Sequence, residues 1–330
     1  MRSSPCFKLL SSLSLAFAAL AAGSAAAQPL TKLVFGTDWF AEAEHGGYYQ
    51  AIAEGIYKKH GLDVSISMGG PQVNGLQLLL AGKSDLYMGY AIQAIQVQER
   101  GLPVVAIAAT FQKDPTVIIS HPGVSKLADL KGKPIAIGAA SDNTFWPWLR
   151  ASFGFTDAQK RPYGFSVQPF LADKRLSQQG FATSEPYSIE KGGVNPVVFL
   201  LADNGYPSYA ETVVVTRNTL AKRGDALKKF VQASAEGWKS YLANPAPGNA
   251  LIKQDNPQME NDLIAFGIAR MKEYALVTGG EAGKQGILTM TDDRWKKTWD
   301  FMLAAKMVDA KVDYKKAYTL DMVKDVKVLP

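Results

Sequence analysis

Regular patterning begins at Thr31, where short apolar runs start to alternate with apolar residues at helical spacing. Lys32–Gly36 reads as a strand. Tyr49, Ile52, Ala53 and Ile56 then recur as a helical stripe. It stops at Lys58-Lys59-His60-Gly61, where a basic last turn and a following glycine complement a helix end. Leu62, Val64 and Ile66 alternate as a strand, and Leu76, Leu79 and Leu80 mark a second helix. Strand Leu86–Gly89, helix Ala91–Arg100 and strand Pro103–Thr110 follow. This βαβαβαβ order predicts a mostly parallel sheet covered on both faces.

Near Pro115 the rhythm restarts with strand Thr116–Ser120, a loop at His121-Pro122-Gly123 and strand Ile135–Gly138, and it runs on to strand Val197–Leu201. Thr212–Thr216 reads as a further strand. Beyond it the chain is mainly helical, with Phe230, Ser234, Trp238 and Tyr241 along one stripe. Two extended crossings, near residues 112–118 and 210–216, predict two α/β lobes joined by a two-strand hinge. Residues 28–114 and 213–330 form lobe I, and residues 115–212 form lobe II. No internal repeat is visible.

The first 27 residues change the picture of location. Arg2 and Lys8 precede an apolar run shorter than the ~20 residues of a spanning helix, and small residues end at Ala25-Ala26-Ala27 before Gln28. Residues 1–27 are therefore expected to be a signal peptide cleaved after Ala27. The single cysteine, Cys6, lies within it, so the mature chain has none. That excludes disulfide scaffolds, cysteine-ligated zinc and a cysteine nucleophile, and it fits a Gram-negative periplasm. The formal charge of +6 falls by two on cleavage, to +4. Lysines are scattered without an aromatic-interleaved basic stripe, so no nucleic-acid partner is expected. With 47% hydrophobic residues the chain can bury a large core, and a length of about 300 residues suits two lobes.

Asp38-Trp39-Phe40, His45-Gly46-Gly47-Tyr48-Tyr49 and the run Ala53 to Val64 resemble the opening of the ABC-transporter solute-binding proteins related to thiamine-pyrimidine synthases. Gly70 to Leu79 with Gly82-Lys83-Ser84-Asp85, Leu127 to Gly138, and Trp295 to Asp313 are similar to later stretches of that family. The resemblance covers nearly all of the mature chain. It implies a type II periplasmic-binding fold, two α/β lobes with mostly parallel sheets that close on a ligand.

In open α/β lobes ligands sit beyond the carboxyl ends of the strands, and the candidates occupy such loops. Asp38 can accept from ring amines and Trp39 can stack on a ring; the alternatives are a helix cap and interface packing. Pyrimidine-binding relatives carry a histidine where His45 stands, though a lone histidine is as readily structural. Tyr49 is placed for packing, and Tyr48, off that stripe, for the cleft. Asn74 suits either a ligand or an ordinary N-cap, and Tyr90 either stacking or burial. Ser141, Asn143 and Thr144 follow a strand and precede Trp146. Glu185 stands where the relatives present an acid to the ligand's amino group, or else merely starts a helix before Pro186. Tyr187 adds an aromatic face.

Aromatic faces with acidic acceptors, and no arginine in the matched loops, favour a neutral or weakly cationic aromatic heterocycle of thiamine-pyrimidine-precursor type. Alternatives are a binding protein for sulfonate, taurine or nitrate, and a pyrimidine-synthase-like enzyme. The related synthases consume a histidine corresponding to His45, are intracellular and carry a cysteine-rich motif, so no enzymatic activity is expected here. G-x-S-x-G, H-E-x-x-H and G-x-G-x-x-G motifs are absent, and Gly280 to Gln285 lacks the first glycine and final Ser/Thr of a phosphate loop. His45, His60 and His121 have no ligand spacing, so no metal is expected, nor any cofactor. The expected partners are a small molecule and an ABC permease in the inner membrane, with the protein acting as a periplasmic monomer by domain closure.

Overall fold

The computed structural model describes Met1, residues 29–70 and residues 72–330. The expected signal peptide lies outside the described residues except for Met1. Among those described, no helix is long and apolar enough to cross a membrane.

Among the described residues, ten strands form two five-stranded sheets. β1 (Thr31–Gly36), β2 (Leu62–Ser67), β3 (Leu86–Gly89) and β4 (Val104–Phe111) belong to the first sheet. β5 (Thr116–Ser120), β6 (Ile135–Ile137), β7 (Lys160–Pro162), β8 (Ser177–Phe181) and β9 (Val197–Leu200) make the second, and β10 (Ala210–Thr216) returns to the first. The orders are β2-β1-β3-β10-β4 and β7-β6-β8-β5-β9. In sheet one β10 runs antiparallel to both β3 and β4; in sheet two β5 runs antiparallel to both β8 and β9. Four strands of each sheet thus share one direction and the fifth is reversed. Each reversed strand is the one that has just crossed from the other sheet.

The apolar patterns explain the layering. β4 reads VVAIAATF and all eight of its residues are buried, as expected of a strand covered on both faces. The predicted stripe Phe230, Ser234, Trp238 and Tyr241 is buried on one face of the long helix Arg217–Ala243, which packs on the helix Gly46–Ala53. Phe230 lies against Phe35 of β1 with ring centroids 5.4 Å apart.

Side chains from the C-terminal segment clasp the crossings. In the first, the buried Gln112 amide donates to the carbonyls of Ala109 at 3.3 Å and Thr289 at 3.0 Å. Arg294, from the helix Asp292–Ala304, donates to the carbonyl of Gln112 in the first crossing and to that of Pro207 in the second. Its guanidinium lies 5.0 Å from the centre of the Tyr209 ring.

Glycine sets the closeness of the two packed helices. A Cβ on Gly237 would stand 2.3 Å from the Gly47 carbonyl oxygen, whereas one on Gly224 meets nothing within 4 Å. Gly237→Ala is expected to destabilise the protein by about 1–3 kcal/mol through overpacking. Gly224→Ala is expected to be neutral or stabilising by up to ~1 kcal/mol through helix propensity. Urea unfolding of the two variants checks the contrast.

Candidate functional site

Loops at the carboxyl ends of the parallel strands meet across a cleft of about 660 Å³. From sheet one come Asp38, Trp39, Phe40 and Glu42 after β1, Tyr90 after β3 and Glu211 at the head of the reversed strand β10. From sheet two come Ser141 after β6, Tyr163 and Phe165 after β7, and Gln179, Phe181 and Glu185 around the end of β8. Among the described residues, four carboxyl groups and six aromatic residues therefore line the cleft, and no lysine, arginine or histidine does.

Each wall is braced locally. The turn carrying Asp38 and Trp39 closes on Gly69, whose N–H donates to the Trp39 carbonyl at 3.1 Å. A Cβ there would stand 2.3 Å from the Thr37 oxygen. Tyr90 donates to Asp38 Oδ2 at 3.0 Å. In the opposite wall Gln179 Oε1 accepts from the Gly138 N–H at 2.6 Å and the Ser141 hydroxyl at 2.8 Å, which fixes that loop and leaves the Gln179 amide nitrogen to donate. Glu185 accepts from the Tyr163 hydroxyl at 2.8 Å, the Phe181 N–H at 2.7 Å and the Ser184 hydroxyl at 2.7 Å. Its carboxylate thus binds together the wall from which Tyr163 and Phe165 project.

Contacts between the two walls include a hydrogen bond and a ring pair. The Thr183 hydroxyl donates to the buried Glu44 carboxylate. The Trp39 ring faces Phe165 at a centroid distance of 5.3 Å. Phe165 is 59% exposed with φ of 57°, a left-handed conformation uncommon for an aromatic residue. Glu211 shares that conformation, with φ of 48°, and is only 1% exposed. Burial pushes its carboxyl well above the usual range, and the neighbouring Asp38, Glu44 and Glu42 add to the shift. Glu42 is raised in the same way, by burial first and then by Glu44 and Asp38.

Of the residues expected from sequence, Asp38, Trp39, Tyr90, Ser141 and Glu185 come together on the cleft walls. The others lie elsewhere. His45 is fully buried behind the floor, its Nε2 3.4 Å from Asp38 Oδ1. Tyr48 does not face the cleft: it sits in the core, bonded to the Thr110 hydroxyl at 2.6 Å, because both faces of its helix are covered. Trp146 is likewise internal and donates to Asp157 at 2.8 Å. Asn74 is an exposed N-cap that accepts from the Gln77 N–H. Asn143 is exposed and its carbonyl accepts from Gln96, while Thr144 borders a smaller adjoining hollow. Tyr187 packs on Phe266 and Lys191, away from the lining. Sequence reasoning missed Glu42, Tyr163, Phe165, Gln179 and Glu211; only Glu211, a lone acid opening an apolar strand at a crossing, carried a usable signal.

The family model described as NMT1/THI5 like matches residues 42–247. The riboflavin-binding protein RibY of Chloroflexus aurantiacus is 26% identical over 321 residues, spanning 93% of this chain and 91% of its own. The formylaminopyrimidine-binding protein of Halalkalibacterium halodurans is 24% identical over 218 residues, covering 63% of this chain and 66% of its own. Among solved structures, the periplasmic aliphatic sulphonate binding protein SsuA from Escherichia coli superposes with a TM-score of 0.67 at 16% identity, covering 91% and 94% of the two chains. The fold is that of the periplasmic binding proteins, with two mixed α/β sheets.

The raised Glu211 carboxyl gives a signed expectation. The folded chain keeps a proton there that the unfolded chain releases. This contribution to stability is fully present below the unfolded carboxyl range and is lost as pH rises toward the folded value. Glu211→Gln removes the penalty, so it should raise the melting temperature at pH 8 by about 2 °C or more, with a smaller gain at pH 5. Calorimetric scans of both proteins at the two pH values check it.

Proposed function

This chain belongs to the NMT1/THI5-like family, and we propose that it is the periplasmic solute-binding component of an ABC importer that captures a flat, neutral or weakly cationic aromatic heterocycle between its lobes. The observation that carries this reading is the lining of the cleft. Aromatic rings from both walls, Trp39 and Phe165 foremost, stand over a floor of carboxyl groups without a cationic side chain. A π-face offers stacking to any flat ring, and carboxyl groups accept from amino groups or protonated ring nitrogens.

In this reading Trp39 and Phe165, in contact with each other across the cleft, together offer one aromatic surface on which the ring packs, Glu42 and Asp38 accept from its amino groups, and Gln179 donates to a carbonyl or ring nitrogen. The Glu44–Thr183 hydrogen bond and the Trp39–Phe165 contact both join the walls, so the ligand and the closed state stabilise each other. An inner-membrane permease then distinguishes the closed form from the open one. The two binding proteins named above support a flavin or a pyrimidine as the ligand class. A sulfonate, the ligand named for the E. coli neighbour, suits this cleft poorly: an anion would lie among Asp38, Glu42, Glu185 and Glu211 with no guanidinium or ammonium on the lining to pair with.

A thermal-shift panel of riboflavin, formylaminopyrimidine, other pyrimidines, purines, alkanesulfonates, taurine and nitrate tests the proposal, because a ligand bound only by the folded state raises the melting temperature. Stabilisation by a flat heterocycle recovered chemically unchanged is the expected result. Stabilisation by sulfonates or nitrate alone, or conversion of the bound heterocycle, overturns it. With the stabilising ligand, Trp39→Ala and Phe165→Ala are each expected to weaken binding by about tenfold or more, roughly 1.4 kcal/mol, in titration calorimetry.

A further inference from the structure

Behind the cleft floor three side chains from separate parts of the chain converge. Asp38 comes from the loop after β1, His45 from the turn Ala43–His45, and Glu211 from the head of β10. One ligand atom of each lies within 4.8 Å of those of the other two. His45 Nε2 stands 3.4 Å from Asp38 Oδ1 without forming a hydrogen bond to it. Donor atoms around a tetrahedral ion with bonds of ~2.1 Å are about 3.4 Å apart, so the Asp38–His45 edge of such a site already has its length.

Both ring nitrogens of His45, together with Asp38 Oδ1 and Glu211 Oε2, are buried and have no hydrogen-bond partner among the described residues. Such atoms are costly to bury unpaired, and one from each of Asp38, His45 and Glu211 converges here. Oxygen and nitrogen donors without sulfur, one imidazole and two carboxylates, suit borderline divalent ions of the zinc and cobalt type rather than soft monovalent copper. The other groups at the cluster are already committed. Asp38 Oδ2 accepts from Tyr90, which orients that carboxylate, and Glu44 is engaged by Thr183. Glu211 holds a left-handed backbone, uncommon for a residue with a side chain, where its carboxyl reaches this cluster.

We propose that Asp38, His45 and Glu211 bind one divalent transition-metal ion of the zinc or cobalt class, with an open coordination position facing the cleft. Asp38 and Glu211 also line the cleft, so a nitrogen or oxygen of a captured molecule can take that position. The site goes beyond the transport role and is testable without any transported ligand.

The test uses the untagged chain, stripped with chelator and titrated with Co²⁺ by visible absorbance and with Zn²⁺ by calorimetry. The expected result is saturable binding of one ion per chain, with the d–d bands of a nitrogen- and oxygen-ligated cobalt centre. His45→Ala and Glu211→Gln should each weaken binding by about 100-fold or more, a loss at least as large as that for removing an outer-shell partner. His60→Ala should not, since His60 pairs with Glu236 on the surface. Circular dichroism establishes that each variant is folded, and should His45→Ala fail to fold, the near-isosteric Glu211→Gln decides alone. Absence of saturable binding, or unchanged affinity in the folded variants, overturns the proposal.

Discussion

Each sheet of this protein is completed by a strand that arrives from the other. Without β10, sheet one would fall apart between β3 and β4; without β5, sheet two would lose β9. The two crossings are thus internal members of both hydrogen-bonded ladders, and the lobes are covalently and topologically interleaved. This constraint also fixes where chemistry can occur. The parallel strands of both sheets point their carboxyl ends at the gap, and the reversed strand β10 begins there. Loop residues such as Asp38 and a strand residue such as Glu211 therefore share one floor.

The floor concentrates carboxyl groups while excluding cations. Glu42, Glu44 and Glu211 all have their carboxyls pushed upward, with burial as the first cause in each. Glu185 is handled differently: three donors from its own wall surround it, and the loop bearing Tyr163 and Phe165 is organised around it. Two carboxyl groups from opposite walls of one cleft thus have different roles. Glu185 is satisfied internally and shapes the wall, whereas Glu211 has an oxygen without a partner and is available to whatever enters.

How much of this was legible beforehand follows from the range of each signal. The strand and helix alternation, the buried stripe of the long helix and the two crossings rest on local periodicity, and that periodicity survives in the fold. Asp38, Trp39, Tyr90, Ser141 and Glu185 reach the cleft because residues that follow parallel strands do so by topology. Tyr48 went the other way because the helix Gly46–Ala53 is packed on by the helices Arg217–Ala243 and Ala246–Asp255 while Tyr48 itself lies against Phe35 and Thr110 of the sheet, so both neighbouring tyrosines are buried. Trp146 was captured by Asp157 of its own lobe. Phe165 depends on a left-handed backbone that no apolar pattern announces. Histidine spacing gave no hint of a ligand cluster because its members are residues 38, 45 and 211, brought together by the return of the chain through β10.

The grip of Arg294 on both crossings has a mechanical meaning. One planar guanidinium donates to a carbonyl in each connecting segment, at Gln112 and at Pro207. Sliding one segment along the other would break a charge-assisted hydrogen bond whose fork geometry tolerates little displacement. Flexing the pair together leaves both bonds intact. The two segments are therefore held to each other as one unit rather than as two independent cords. The guanidinium is carried by the helix Asp292–Ala304, far along the sequence from either crossing, so a late segment of the chain ties together the two connections that join its sheets.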